Sequence, residues 1–345
     1  MEDKLNEEKK RVFITGITGQ DGSYLSEFLA KKNCEIFGLT SKKYSDNAVS
    51  MAALKKLGAQ VILIDGDITD TGLLAKIFKD IKPHEIYNLA AISSVSESFK
   101  VPEKVMEVNF HAFKRLVDEA ITVVPKVRIY QASSSEMFGQ ASAPQNEKTD
   151  FRPVSPYGKS KLRAYQEVVL EYRRKKGVHI CSGIMFNHES PRRGEGFVTS
   201  KIITDLSKVK LGLLAHLELG NLNARRDWGF AGDYVKAMYL ILNYDKADDY
   251  VIATGKSHTV RDFVNETAKN LGLKIKWRGR GEKEEAVDDN GKILVKVNPI
   301  FYRPKELSVT IGDSAKARKI LGWNPVVNFE GLVKMMVKAA MEHYV

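Results

Sequence analysis

Cysteine is scarce: only Cys34 and Cys181 occur in 345 residues, which excludes the disulfide framework of a small secreted fold. No stretch approaches the ~20 consecutive apolar residues that a bilayer-spanning helix needs. The opening Met1-Glu2-Asp3-Lys4 has none of the apolar character of a secretory signal. From these absences a soluble chain in a reducing, cytoplasmic compartment is expected. Internal repeats and low-complexity tracts are also missing, which removes solenoids and biased disordered segments from consideration.

What is present points to a folded enzyme-sized chain. Hydrophobic residues make up 43% and charged residues 28%, enough for a sizeable core and roughly two domains. Lys and Arg number 54 against 43 Asp and Glu, a formal charge of +11. Such an excess attracts nucleic acid, acidic membranes or phosphorylated small molecules, and charge alone does not choose among them.

After a polar head over residues 1–10, Arg11-Val12-Phe13-Ile14-Thr15 reads as a buried strand entering a glycine-rich turn. Tyr24, Leu25, Phe28 and Leu29 then recur at helical spacing, and Cys34–Leu39 is again a strand. The alternation continues with strands at 61–64, 86–89 and 127–130, a helix over about 103–122, a helix over about 156–176 and a strand at 178–184. Strands alternating with helices predict an α/β fold: a Rossmann-like, doubly wound parallel sheet. Beyond residue 187 loops rich in Gly, Pro, Arg and Asn predict a smaller, interleaved C-terminal α/β substrate domain. The expected division is a tail at 1–10, a dinucleotide-binding unit at 11–186 to which about 221–255 returns, and a mainly substrate-binding unit at 187–345.

Gly16-Ile17-Thr18-Gly19-Gln20-Asp21-Gly22 falls between a predicted strand and a predicted helix. There, glycines permit a tight turn and let backbone N–H groups at the helix N-terminus meet a pyrophosphate. A unit that takes NAD places an acidic residue after the second strand to bond the ribose. This chain lacks one and has Thr40-Ser41-Lys42-Lys43 instead, and two lysines suit the 2′-phosphate of NADP. Taken alone, Lys42 and Lys43 read equally well as a solvated loop. Asp67 and Ile68 follow the third strand, and Leu89-Ala90-Ala91-Ile92-Ser93 follows the fourth, at the sheet edge that faces the ligand crevice.

Ser155-Pro156-Tyr157-Gly158-Lys159-Ser160-Lys161 opens a helix, with Ser155 as N-cap and Pro156 at its first position. Tyr157 and Lys161, four apart, share one face. A nearby ammonium, together with a nicotinamidium charge, is expected to lower the phenol's pKa and make Tyr157 a base near neutral pH. Ser133-Ser134-Ser135-Glu136, after the fifth strand, brings hydroxyls and one carboxylate to the same crevice edge.

Together the G-x-x-G-x-x-G turn and the Y-x-x-x-K pair resemble the extended short-chain dehydrogenase/reductase superfamily. Finer motifs are similar to its GDP-mannose 4,6-dehydratase family: Thr15–Leu25, Asn88–Ala91, Ser134–Gly139, Ser155–Gly158, Asn187-His188-Glu189-Ser190-Pro191-Arg192-Arg193-Gly194 and Arg226-Asp227-Trp228-Gly229. They span residues 11 to about 325 in the family's order, and the Asn-His-Glu-Ser-Pro-Arg-Arg-Gly stretch is the most specific.

The resemblance implies conversion of GDP-mannose to GDP-4-keto-6-deoxymannose and water, with NADP tightly bound and regenerated in each cycle. Tyr157 would take the C4 hydroxyl proton, Lys161 would hold the ribose, Glu136 would remove the C5 proton and Ser134 would bond the sugar near O4. Ser135-Glu136, where related glucose-nucleotide dehydratases carry Asp-Glu, favours the mannose substrate. Cofactor contacts implied are Gly16 to Gly22 (Gly16, Ile17, Thr18, Gly19, Gln20, Asp21, Gly22), Asp67, Ile68, Leu89 to Ser93, Tyr157, Lys161, His188 and Arg193. Substrate contacts implied are Ser134, Asn187, Val198, Lys201, Arg226, Arg303 and Glu306, and no metal is implied. The family forms homodimers or homotetramers. Two positions depart from its pattern: Lys42-Lys43-Tyr44-Ser45-Asp46-Asn47 replaces an Arg-Arg and serine-rich segment that reaches a neighbouring subunit, and Lys104 follows Pro102-Glu103 where a cofactor-contacting tyrosine is common.

Two alternatives accompany this reading. A nucleotide-sugar 4-reductase or epimerase of the same superfamily would leave Glu136 idle. A nucleic-acid-binding protein would use the basic runs Tyr172-Arg173-Arg174-Lys175-Lys176 and Lys274-Ile275-Lys276-Trp277-Arg278-Gly279-Arg280. The first run ends a predicted helix, where cations favour the dipole and a solvated terminus is expected; the second has a single tryptophan.

Overall fold

A computed structural model describes residues 9–41, 47–301 and 309–344. The first strands are Lys10–Thr15 (β1), Cys34–Thr40 (β2), Val61–Asp65 (β3), Glu85–Asn88 (β4), Arg128–Ser134 (β5) and Ile180–Met185 (β6). Next come Asn187–Glu189 (β7), Leu217–Leu219 (β8), Arg225–Arg226 (β9), Trp228–Phe230 (β10) and Asp249–Ile252 (β11). The last are His258–Thr259 (β12), Lys276–Arg278 (β13), Glu285–Val287 (β14) and Ile293–Val297 (β15).

Seven strands form one parallel sheet in the order β11-β6-β5-β4-β1-β2-β3. The order reverses between β1 and β4, and in such a sheet the crevice beyond the carboxyl ends at that switch point receives the ligand. Both faces are covered, so Val12 to Thr15 of β1 are all buried: Val12 and Ile14 pack with Leu25, Leu29, Tyr234 and Met238, whereas Phe13 packs with Phe78, Phe113 and Leu116 on the other side.

After β6 the chain leaves this sheet and builds a four-stranded one, β13-β14-β15-β8. Its core of Ile202, Leu206, Leu217, Phe263, Val295 and Leu332 is shared with the helices Val198–Lys210, Val260–Asn270 and Phe329–Tyr344. In between, β7 pairs with β10, and β11 returns to the large sheet beside β6. Asp227 fastens this crossing: it accepts from Thr254 N (2.9 Å), Thr254 Oγ1 (2.6 Å), Gly255 N (2.9 Å) and Gly312 N (3.2 Å). No helix among the described residues is long and apolar enough to cross a membrane.

Several expectations need correction. The polar head is shorter than ten residues, because Lys10 already belongs to β1 and its Nζ donates to the buried Glu85 Oε1 at 2.7 Å. The two long helices are each interrupted by a π turn, at Glu107–His111 and Tyr165–Leu170, which a search for 3.6-residue periodicity does not register. Arg173 is no solvated helix end: it turns inward and grips Asp249 with two bonds of 2.9 and 2.6 Å, donating a third from Nε to the Ile180 carbonyl at 2.8 Å. Lys175 pairs with Glu171, Lys276 with Asp289 and Arg278 with Glu285, so much of both basic runs is spent on local acids.

Candidate active site

The glycine turn is shaped by close approach. Gly16 has φ +68°, and a Cβ there would lie 2.9 Å from the Ala90 backbone nitrogen; a Cβ on Gly22 would meet the Gly16 carbonyl at 2.5 Å. The helix Gln20–Ala30 begins at Gly19, which supplies no side-chain cap, so its first N–H groups are left for an anion. A polar ladder fixes the strand ends beneath: Thr15 Oγ1 donates to Asn88 Oδ1 (2.7 Å) and accepts from Leu89 N and Ala90 N (3.1 Å each), and Asn88 Nδ2 donates to Gln131 Oε1 (2.7 Å).

These residues line a cleft of about 1510 Å³ that runs from the turn past Thr40, Ser41, Asp67 and Ile68, along Leu89–Ser93, to Ser134, Glu136, Tyr157 and Lys161. Its far wall is Asn187, His188, Arg193, Val198, Lys201 and Arg226. Size, shape and the uncapped helix end fit a dinucleotide lying beside a second ligand. Ile17 is the exception: its side chain is fully buried and rests on Gly38, where an added Cβ would collide with it, so only its backbone belongs to the turn. Lys42, Lys43, Arg303 and Glu306 lie outside the described residues.

Ser155 caps the helix Pro156–Ala164 by accepting from Gly158 N at 3.0 Å, with Pro156 in the first turn. The helix buries Tyr157 and Lys161 side by side, the ammonium 5.9 Å from the ring centre. Glu136 sits in a single 3₁₀ turn at the end of β5, its N–H donating to Ser134 Oγ at 3.2 Å, and the Ser134 hydroxyl is near enough to the Tyr157 phenol to favour its ionised form. The protein's own groups alone do not lower the phenol's pKa below its ordinary value. Burial pushes Tyr157 up to about 12, with Glu136 adding to the rise and the Ser134 hydroxyl and Arg193 only partly opposing it. Lys161 gives no relief: its Nζ donates to the Ala132 carbonyl at 2.8 Å, and burial brings it down to about 8.

On the opposite wall the His188 Nδ1 lies 2.7 Å from the Phe186 carbonyl oxygen and its Nε2 lies 2.8 Å from Asp21 Oδ2. Gln20 Nε2 reaches the His188 carbonyl at 3.0 Å, and Ser190 Oγ donates to Gln20 Oε1 at 2.8 Å. Arg193 lies over the Phe197 ring and 3.0 Å from Glu189 Oε2, a charge contact without hydrogen-bond alignment. Lys201 pairs with Asp205 at 2.9 Å on its own helix.

Three positioning residues escaped the sequence reading. Asn109, within the first π turn, accepts from Ile92 N (2.9 Å) and donates to Ser160 Oγ (3.0 Å), tying the 89–93 loop to the helix that carries Tyr157 and Lys161. An asparagine at a helix position otherwise facing the core was its only signal. Arg192 donates to Glu27 Oε1 (2.6 Å) and Ser23 Oγ (3.1 Å), and Asn47 donates to the Arg192 carbonyl (2.8 Å).

A doubly wound sheet with a phosphate turn, a Tyr-Lys pair and a Ser-Glu pair on one cleft defines a short-chain dehydrogenase/reductase of the extended type. A family profile described as GDP-mannose 4,6 dehydratase matches residues 13–336. The chain is 44% identical over 342 residues to the GDP-mannose 4,6 dehydratase of Drosophila melanogaster, covering 96% of this chain and 86% of that one. It is 43% identical over 348 residues to the Homo sapiens protein of that name, covering 98% and 93%. The chain belongs to the GDP-mannose 4,6-dehydratase family. Its fold is that of a dTDP-glucose 4,6-dehydratase from Streptomyces venezuelae solved with NAD (TM-score 0.81, 23% identity, 96% of this chain and 97% of that one). It is likewise that of a Pseudomonas aeruginosa protein complexed with NADPH (TM-score 0.76, 19% identity, 97% and 100%).

Proposed function

We propose that this chain dehydrates GDP-mannose to GDP-4-keto-6-deoxymannose and water, with NADP as a resident cofactor. The observation that carries the reading is the convergence of Ser134, Glu136, Tyr157 and Lys161 on the cleft that begins at the uncapped glycine turn. The turn from Gly16 to Gly22, Asp67, Ile68, the 89–93 loop, Lys161, His188 and Arg193 would hold the dinucleotide. Bound there, its nicotinamide supplies hydride acceptance from C4 and hydride return to C6.

The chain's own groups handle the protons. Tyr157 takes the C4 hydroxyl proton, with the Ser134 hydroxyl favouring its ionised form. Glu136, set beside the tyrosine by its short 3₁₀ turn, removes the C5 proton made acidic by the new ketone and passes it to the C6 hydroxyl, which leaves as water; the proton held by Tyr157 returns to C5 when hydride is delivered to C6. Arg226, with Lys201 and Asn187, lines the wall that suits a sugar diphosphate. Arg303 and Glu306 are proposed to complete that end. NADP rather than NAD is favoured because β2 ends at Thr40 and is followed by Ser41, both on the cleft, with Lys42 and Lys43 next in sequence and no acidic side chain at that point.

Purified protein incubated with GDP-mannose and no added cofactor is expected to yield a product lighter by one water. Protein stripped of nucleotide should regain that activity with NADP and much less with NAD. Interconversion without mass loss, or consumption of external NADPH alone, would overturn the dehydratase reading.

A further inference from the structure

A carboxylate stands where a diphosphate is proposed to bind. Asp21 is in the first turn of the helix Gln20–Ala30 and lines the cleft. That position suits the helix dipole, yet an uncompensated negative charge there repels an anionic ligand. We propose that His188 is the built-in counter-ion of Asp21, its imidazolium cancelling the carboxylate so that the glycine turn can accept a dinucleotide pyrophosphate. The inference rests on the cofactor reading above and assigns His188 a positioning and electrostatic role.

The geometry favours the protonated form. Both ring nitrogens face acceptors, Phe186 O at 2.7 Å and Asp21 Oδ2 at 2.8 Å, so a proton on each nitrogen is the arrangement that satisfies both. The ring is held flat against Tyr234, centroids 4.7 Å apart and planes 21° apart, and Asp21 Oδ1 takes a further bond from Gln20 Nε2 at 3.1 Å. The groups facing the pair from other elements are Glu189 and Arg193 after β6, Tyr234 from the helix Ala231–Asn243, Tyr130 from β5 and Tyr157 from the helix Pro156–Ala164.

The three phenols are pushed up by burial and stay neutral, and Glu189 and Arg193 offset each other. With His188 protonated the two acids and two bases balance; without its proton, one negative charge is left facing the ligand. Burial would lower the imidazole, but the Asp21 charge and hydrogen bond and the Phe186 carbonyl outweigh it and raise it above its ordinary value. Asp21, which burial alone would raise, is held below its usual range by His188. The counter-ion is therefore in place below the raised value and is lost as pH climbs through it.

The test is calorimetric titration of nucleotide-free protein with NADP from about pH 6 to about pH 9. His188→Asn, which cannot carry the charge, is expected to bind about tenfold more weakly, and the Asp21→Asn/His188→Asn double variant to recover to within about threefold of wild type. Wild-type affinity should decline more steeply with pH than that of the double variant, which keeps only the titration of Lys161 near 8. A double variant no tighter than His188→Asn, or His188→Asn as tight as wild type, overturns the counter-ion role. Should His188→Asn not fold, nitrogen-15 resonances of the wild-type ring decide: two protonated nitrogens at neutral pH support it, one overturns it. Wild-type protein that binds neither NADP nor NAD overturns the cofactor reading itself, and the inference with it.

Discussion

Gly158 and Glu136 are packed backbone against backbone: a Cβ on Gly158 would lie 2.5 Å from the Glu136 carbonyl oxygen. The helix carrying Tyr157 can therefore seat itself on the turn carrying Glu136 only because that side chain is missing. Gly158→Ala improves helix propensity, yet it should lower the unfolding free energy by about 1–3 kcal/mol through overpacking. It should cost about 100-fold in turnover as the proton-handling groups move apart. Denaturant melts and steady-state rates on the same sample check both.

Lys161 is a buried cation whose charge is disfavoured by its surroundings. Its folded value of about 8 lies below the ordinary 10.5, so between these the unfolded chain binds more protons and stability rises with pH. At neutral pH the burial of that charge is a net cost, so Lys161→Met should abolish activity while raising stability by roughly 2–3 kcal/mol. The stabilisation should shrink toward pH 10. Thermal melts at several pH values, read beside product formation, test it; a destabilised variant at pH 7 contradicts the argument.

Separating oxidation from elimination gives a third outcome. Glu136→Gln keeps the shape of the 3₁₀ turn and removes the base. On addition of GDP-mannose it should still show near-ultraviolet absorbance from cofactor reduction while product formation drops by about two to four orders of magnitude. Full-rate loss of water by this variant removes Glu136 from its role.

Asp227 answers four donors with two oxygens. Asp227→Asn turns one acceptor into a donor that faces other donors, so about 2–4 kcal/mol of unfolding free energy should be lost. Because Asp227 touches no proton-transfer group described above, the variant's turnover at low temperature should stay within about threefold of wild type. Urea denaturation and cold-temperature rates separate the two effects.

Much of the large sheet was legible because its strands are continuous apolar runs and its turns announce themselves through Gly16, Gly19, Ser155 and Pro156. The Tyr157–Lys161 pair was legible for the same reason, since i, i+4 spacing survives any packing. The electrostatics were not. Tyr157 could be placed from spacing, but its raised pKa follows from burial, with Glu136 and Asp21 adding to it, and these are tertiary facts. Arg173 looked like a surface cation because its acid, Asp249, lies 76 residues away in sequence. Asn109 and Arg192 act through partners on other elements, and no local pattern marks such residues.

The crossing of the chain between its two sheets also bears on how the molecule could be rearranged. β11, from beyond the sugar-side stretch, completes the edge of the large sheet, and Asp227 binds a turn after β11 and a glycine near the end of the chain. A fragment ending at Met185 would expose the flank of β6 and leave the face of the sheet without the helix Ala231–Asn243. Exchanging the smaller sheet and its helices with those of a relative by recombination therefore calls for three separate inserts, 187–230, 256–309 and 324–344, threaded through a retained frame. A single crossover would graft half of one core onto half of another.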